Sequence, residues 1–167
     1  DSLAPDAFGR HVAVMIASMV EAETPIPEER PRVAAVVLNR LVSPSFPFRR
    51  LQIDPTVTYG CLVDPDGPES CRGGVKRLAT RHLEDSANVY NTYKHPGLPP
   101  GPIGNPSLQS IKAALAPADV EDLYFVARGD GGHVFSKTLE EHNAAVKAYR
   151  ERRDSALTTS PAPSENH

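Results

Sequence analysis

Seventeen of the 167 residues are proline, and their placement limits how far any regular element can run. Pro25, Pro27 and Pro31 interrupt one stretch, Pro44 and Pro47 a second, and Pro96, Pro99, Pro100, Pro102 and Pro106 a third. A chain punctuated in this way is expected to build short elements joined by long, ordered connections.

Ahead of the first proline cluster, Asp6 to Glu23 reads as a helix. Val12, Ile16, Met19 and Glu23 recur at spacings of three and four, so they share one face. Glu23 therefore closes an apolar stripe. Glu21, two positions back, points roughly 200° away. A carboxyl at the end of a buried stripe loses hydration, and its proton affinity rises toward what a general acid needs near neutral pH. The plainer reading is that both acids are solvated last-turn side chains. Two features favour Glu23: the helix dipole disfavours an acid at a C-terminus, and Pro25 and Pro27 fix the chain direction just after it.

A second helix is expected over Glu28 to Leu41, with Val33, Val36, Val37 and Leu41 on its apolar face. Leu51-Gln52-Ile53 reads as a short extended piece. Asp54-Pro55 then reads as an N-cap with proline at the first helical position, and weak helix is expected around Arg77 to Leu83. Asn105-Pro106 reads as the cap of a helix carrying Leu108, Ile111 and Leu115. Leu123 to Ala127 and His133 to Ser136 read as a hairpin around a glycine-rich turn. Thr138 and Glu141 form a capping box for a last helix to about Arg152, and a disordered tail is expected from there. Helices, a hairpin and a final helix give one α+β domain, several helices packed with a small antiparallel hairpin.

Between these elements Tyr90-Asn91-Thr92-Tyr93 is followed by His95 to Ile103, a proline- and glycine-rich run that reads as an ordered wall. Tyrosine and asparagine offer flat apolar faces with hydrogen-bonding tips, which suits sugar binding; a packed surface loop is the alternative. A net charge of −3 and the absence of a basic stripe give no case for nucleic acid. No apolar run approaches the ~20 residues of a membrane span. The chain begins at Asp1 and reads as a processed product or a piece of a longer protein, so a membrane anchor in the parent is left open. Cys61 and Cys71 flank a turn-rich loop. They form either a disulfide, contributing about 3 kcal/mol in an oxidising compartment, or two free thiols. His133 and His142 lack an evident third ligand, so no metal and no cofactor is expected.

Taken in order, several of these segments resemble the endolytic murein transglycosylases of the YceG-like family. The resemblance is carried by Ala17 to Thr24, Glu29-Arg30, Asn39-Arg40-Leu41, Leu51 to Val57, Tyr90 to Tyr93, Gly97 to Ile103, Tyr124-Phe125-Val126, Gly131 to Phe135 and His142-Asn143. It spans about Ala13 to Tyr149. It implies a catalytic domain over residues 1–153 with residues 154–167 as tail, and it maps the family's catalytic glutamate, the one before threonine, onto Glu23. The same Glu-Ser/Thr pairing is similar to that of other lytic transglycosylases and goose-type lysozymes. The loop Val42 to Phe48 and the cysteine loop depart from the family pattern, and the family's membrane anchor and LysM-like domain are not in this chain.

The implied substrate is the glycan strand of peptidoglycan, outside the cytoplasm, with cell-wall synthases as partners and a parent anchored in the cytoplasmic membrane. Glu23 is implied to act first as acid and then as base, leaving a 1,6-anhydro end on N-acetylmuramic acid. Gln52, Tyr90, Asn91 and Tyr93 are the expected helpers. Asp54 is the acid that would convert the chemistry to hydrolysis. A non-catalytic glycan-binding or scaffold domain is the reading from another class.

Overall fold

The computed structural model describes residues 7–159. Helix α1 spans Ala7–Glu23, so the expected start at Asp6 lies outside the described residues. Pro27–Glu29 forms a 3-10 turn, and α2 begins only at Arg30, running to Val42. Pro27 is fitted to a first turn, and that turn takes up Glu28 and Glu29 before the α-helix starts. Next come α3 (Asp54–Val63), a 3-10 turn at Glu69–Cys71, α4 (Thr80–Glu84) and α5 (Leu108–Leu115). The hairpin β1 (Tyr124–Ala127) and β2 (His133–Ser136) leads to α6 (Leu139–Thr159).

Helices α1, α2 and α5 pack against one another around Ile16, Met19, Val20, Val33, Val37 and Ala113. The stripe on α1 thus does bury, and it delivers Glu23 to the edge of that core. The strands pair antiparallel, with Tyr124 opposite Ser136 and Ala127 opposite His133, and α6 lies across both. This is the expected single α+β domain.

Local chemistry moved several boundaries. Ile53, not Asp54, is the N-cap of α3, and Asp54 makes no capping bond. Ser107, not Asn105, caps α5, its hydroxyl accepting from the Ser110 amide. Leu51-Gln52-Ile53 is no strand, because Gln52 turns into the left-handed region at φ 53°. The capping box at Thr138 and Glu141 is present in both directions. Helix α6 runs past Arg152 to Thr159, so residues 154–159 are helix rather than tail; the rest of the expected tail, 160–167, lies outside the described residues.

Asparagines hold the long connection after α4. The buried Asn91 amide donates to the carbonyls of His82, Leu83 and Asp85, and its oxygen accepts from the Tyr93 amide. Asn88 donates to the Val57 carbonyl and accepts from the Tyr90 amide. Side chains here do what a ladder does in a sheet: they satisfy buried backbone groups. Asn88 lies flat on Gly60, where an added Cβ would come within 1.9 Å of its Oδ1. Gly60→Ala is therefore expected to push Asn88 off α3 and to cost about 2 kcal/mol, read as a lowered urea midpoint. Unchanged stability would mean that Asn88 is not held there.

The two cysteines form a disulfide, so of the two readings the thiol pair is set aside. It ties the C-terminal turn of α3 to the 3-10 turn at Glu69–Cys71.

Candidate active site

Glu23 ends α1 with its side chain on the core stripe and keeps part of its surface open. No hydrogen bond from the described residues reaches its carboxyl. Burial, and then the negative charge of Asp54, push its pKa up to about 7; the positive charge of Arg40 pulls the other way. The carboxyl is thus poised to hold a proton near neutral pH and to release it.

Glu21 makes the contrast. Its Oε2 accepts from the Ser107 amide at 3.0 Å and from the Ser107 and Ser110 hydroxyls at 2.6 and 2.7 Å, while Oε1 meets Arg30 at 3.2 Å. The bonds from Ser107 and Ser110 hold its pKa at about 2. Two acids two positions apart have opposite proton affinities because the helix turns them to different faces. Glu21 is a fixed anion at the start of α5.

Asp54 and Tyr93 come together: the Tyr93 hydroxyl donates to Asp54 Oδ1 at 2.5 Å. Burial first, and then the bond to Asp54, raise the Tyr93 phenol pKa, so it stays a donor. Two further bonds bolt this motif to the start of α3. The Ile53 amide donates to the Thr92 hydroxyl at 3.0 Å, and the Gln52 amide to the Thr92 carbonyl at 3.2 Å. Gln52 stands exposed beside Asp54 in its left-handed conformation, which costs a non-glycine residue of order 1 kcal/mol. Tyr90 packs edge-on against Tyr59 at 5.0 Å, contributing to the wall. Asn91 does not reach the site: it is fully buried and its amide is committed to backbone, which corrects its expected place among the helpers.

Two groups escaped the sequence reading. Arg40 is buried, its Nε donating to the Leu123 carbonyl at 2.6 Å and its Nη1 to the Leu51 carbonyl. The rings of Phe46 and Tyr124 stand 5.2 and 5.6 Å from the guanidinium carbon. The signal was present, since Arg40 follows Val33 and Val37 at helical spacing and so lies on the buried face of α2. Thr24 is the second. Its buried hydroxyl accepts from the Ile26 amide and donates to Glu29, which in turn bonds the His133 amide at 2.9 Å and its Nδ1 at 2.8 Å. Burial works against the Glu29 charge, but these bonds outweigh it and lower its pKa. The cluster fastens the exit of α1 to β2, and Glu23 with it. His133 is thus paired with an acid and His142 stacks on Tyr124 at 5.2 Å. Among the described residues no group of three or more metal-ligating side chains gathers.

The geometry has known counterparts. A sequence profile described as the YceG-like family matches residues 5–148. The chain is 40% identical over 139 residues to an endolytic murein transglycosylase of Bacillus subtilis, covering 83% of this chain and 34% of that protein. It is 31% identical over 135 residues to one of Streptococcus pneumoniae, covering 78% and 22%. A crystal structure of a YceG-like protein from Listeria monocytogenes superposes with a TM-score of 0.66 at 40% identity, covering 80% of this chain and 39% of that one. The chain thus spans about a third or less of the curated relatives it matches. Across the part it does span, sequence and structure agree that the chain belongs to the YceG-like family.

Proposed function

We propose that this domain is a lytic transglycosylase that cuts the glycan strand of peptidoglycan between N-acetylmuramic acid and N-acetylglucosamine. The observation that carries the reading is Glu23, a partly open carboxyl whose pKa burial raises to about 7. In its protonated form Glu23 gives its proton to the glycosidic oxygen as the bond to the anomeric carbon breaks. The resulting carboxylate then takes the proton of the C6 hydroxyl, whose oxygen attacks the anomeric carbon and closes a 1,6-anhydro ring. One carboxyl serves both steps, so no second acid is required. Asp54 supplies negative charge facing the developing oxocarbenium ion, and the Tyr93 hydroxyl fixes its orientation. Gln52 and Tyr90 offer the remaining polar contacts, and Asn91 positions Tyr93.

The names of the relatives support this substrate class, and through it an extracytoplasmic location; cell-wall synthases are the partners that the reading expects. The disulfide fits an oxidising compartment. Among the described residues no helix is long and apolar enough to cross a membrane. Asp54 also favours a second reading, muramidase-type hydrolysis with Asp54 activating water, because its charge bears directly on Glu23.

Incubation of the chain with peptidoglycan and mass spectrometry of the soluble products separates the two. Anhydro-muropeptides establish the lyase, reducing ends the hydrolase. Tyr93→Phe removes the donor to Asp54 and is expected to lower kcat/KM about tenfold or more with little change in melting temperature. Full activity in that variant would remove Tyr93 from the mechanism.

A further inference from the structure

Along the outer face of α3, Asp54, Thr58 and Leu62 recur every fourth residue, with Pro55 and Tyr59 beside them. Ile103 stands opposite, and together they line a largely apolar groove of about 410 Å³. One end of the groove is Asp54, the acid that accepts from the Tyr93 hydroxyl and whose charge acts on Glu23. The other end is Leu62, which is 74% exposed. The helix rises about 12 Å between these two residues, the reach of a disaccharide.

Both walls are fixed from outside the groove. The Ile103 amide donates to the Ser18 hydroxyl on α1 at 3.0 Å, which pins the end of the proline-rich run. Tyr59 is braced by Tyr90. At the far end, Cys61 next to Leu62 is bonded to Cys71, and the Asn88 amide lies 3.8 Å from the Cys61 sulfur. A rigid apolar trough with a hydroxyl and a carboxylate along one side matches the chemistry of a pyranose chain. Tyr59, Leu62 and Ile103 offer surface for apolar C–H faces and acetamido methyl groups, and Thr58 and Asp54 offer partners for ring hydroxyls.

We propose that this groove is a saccharide subsite, holding N-acetylated sugars on one side of the bond to be cut, with the Cys61–Cys71 bond holding its far end in place. The proposal rests on the glycan reading above, and its test is independent of turnover. Isotope-labelled Glu23→Gln chain is titrated with chitotetraose, a soluble run of N-acetylated sugars, and followed by NMR. Thr58, Tyr59, Leu62 and Ile103 are expected to shift together. Leu62→Asp, a change at an exposed position checked by an unaltered melting temperature, is expected to raise Kd about tenfold. Leu115→Asp, exposed on α5, leaves Kd unchanged. No binding, shifts confined to other surfaces, or an unaltered Kd in Leu62→Asp would overturn the subsite. Binding on α3 without anhydro products from the wild-type chain would sink the lyase reading and leave the subsite standing. Anhydro products without binding on α3 would do the reverse.

Discussion

Glu23→Gln is expected to abolish turnover and, at the same time, to stabilise the fold above neutral pH. Gln keeps the shape of the side chain but has no acidic proton to donate, so the loss in kcat is about a thousandfold or more. The stability gain follows from the same burial. The folded-state pKa of about 7 lies above the ordinary glutamate value of 4.5, so the folded chain binds this proton more tightly than the unfolded chain does. Stability is then full below pH 4.5, declines as pH rises through 7, and is lower by up to roughly 3 kcal/mol at higher pH. The Gln variant carries no such penalty. Thermal melts at pH 4 should coincide for the two chains, and at pH 8 the variant should melt several degrees higher. In the wild-type chain kcat/KM should fall as pH rises through about 7, where the acid loses its proton. Coincident melts at pH 8 would mean that Glu23 is not a buried charge; persistent turnover would place the acid elsewhere.

Arg40→Met is the second large effect, and it acts on the fold first. The change leaves the Leu51 and Leu123 carbonyls without their donor. It also takes a cation from beside the rings of Phe46 and Tyr124. Stranding two buried acceptors is expected to cost about 3 kcal/mol or more, seen as a lower urea midpoint. Arg40→Lys keeps the charge but not the fork that reaches both carbonyls, and should fall between. A second readout is specific to the site. The Arg40 charge lowers the pKa of Glu23, so its removal should carry the alkaline limb of kcat/KM to higher pH in Met but not in Lys. A Met variant as stable as wild type would show that those carbonyls find other donors.

The parts of this molecule that sequence made legible are those governed by local periodicity. The stripe Val12, Ile16, Met19, Glu23 needed only helical spacing, and it found both the core face of α1 and the acid at its end. The hairpin and the capping box at Thr138 were equally local. What stayed hidden depends on partners far apart in the chain. Glu21 finds its role only when Ser107 and Ser110 arrive at the base of α5. Asp54 reads as a cap because Asp-Pro commonly is one, yet its carboxylate turned to Tyr93, a residue from the other side of the cysteine loop. Asn91 was misread for a related reason. Its type suits sugar hydroxyls, and nothing local reveals that three backbone carbonyls, two in α4 and one just after it, already claim it.

That last arrangement bears on how the molecule ages. One chemical lesion open to the loop is the slow conversion of an asparagine amide to an acid. At Asn91 it would turn a donor shared by three carbonyls into an anion facing them, with no change in size. While the loop is closed, burial keeps hydroxide and the flexible backbone geometry that the conversion needs away from it. Asn91→Asp made directly keeps the oxygen that accepts from the Tyr93 amide but loses the donor to the three carbonyls, and should melt several degrees below wild type, whereas an equal melt would mean that the three bonds hold nothing together.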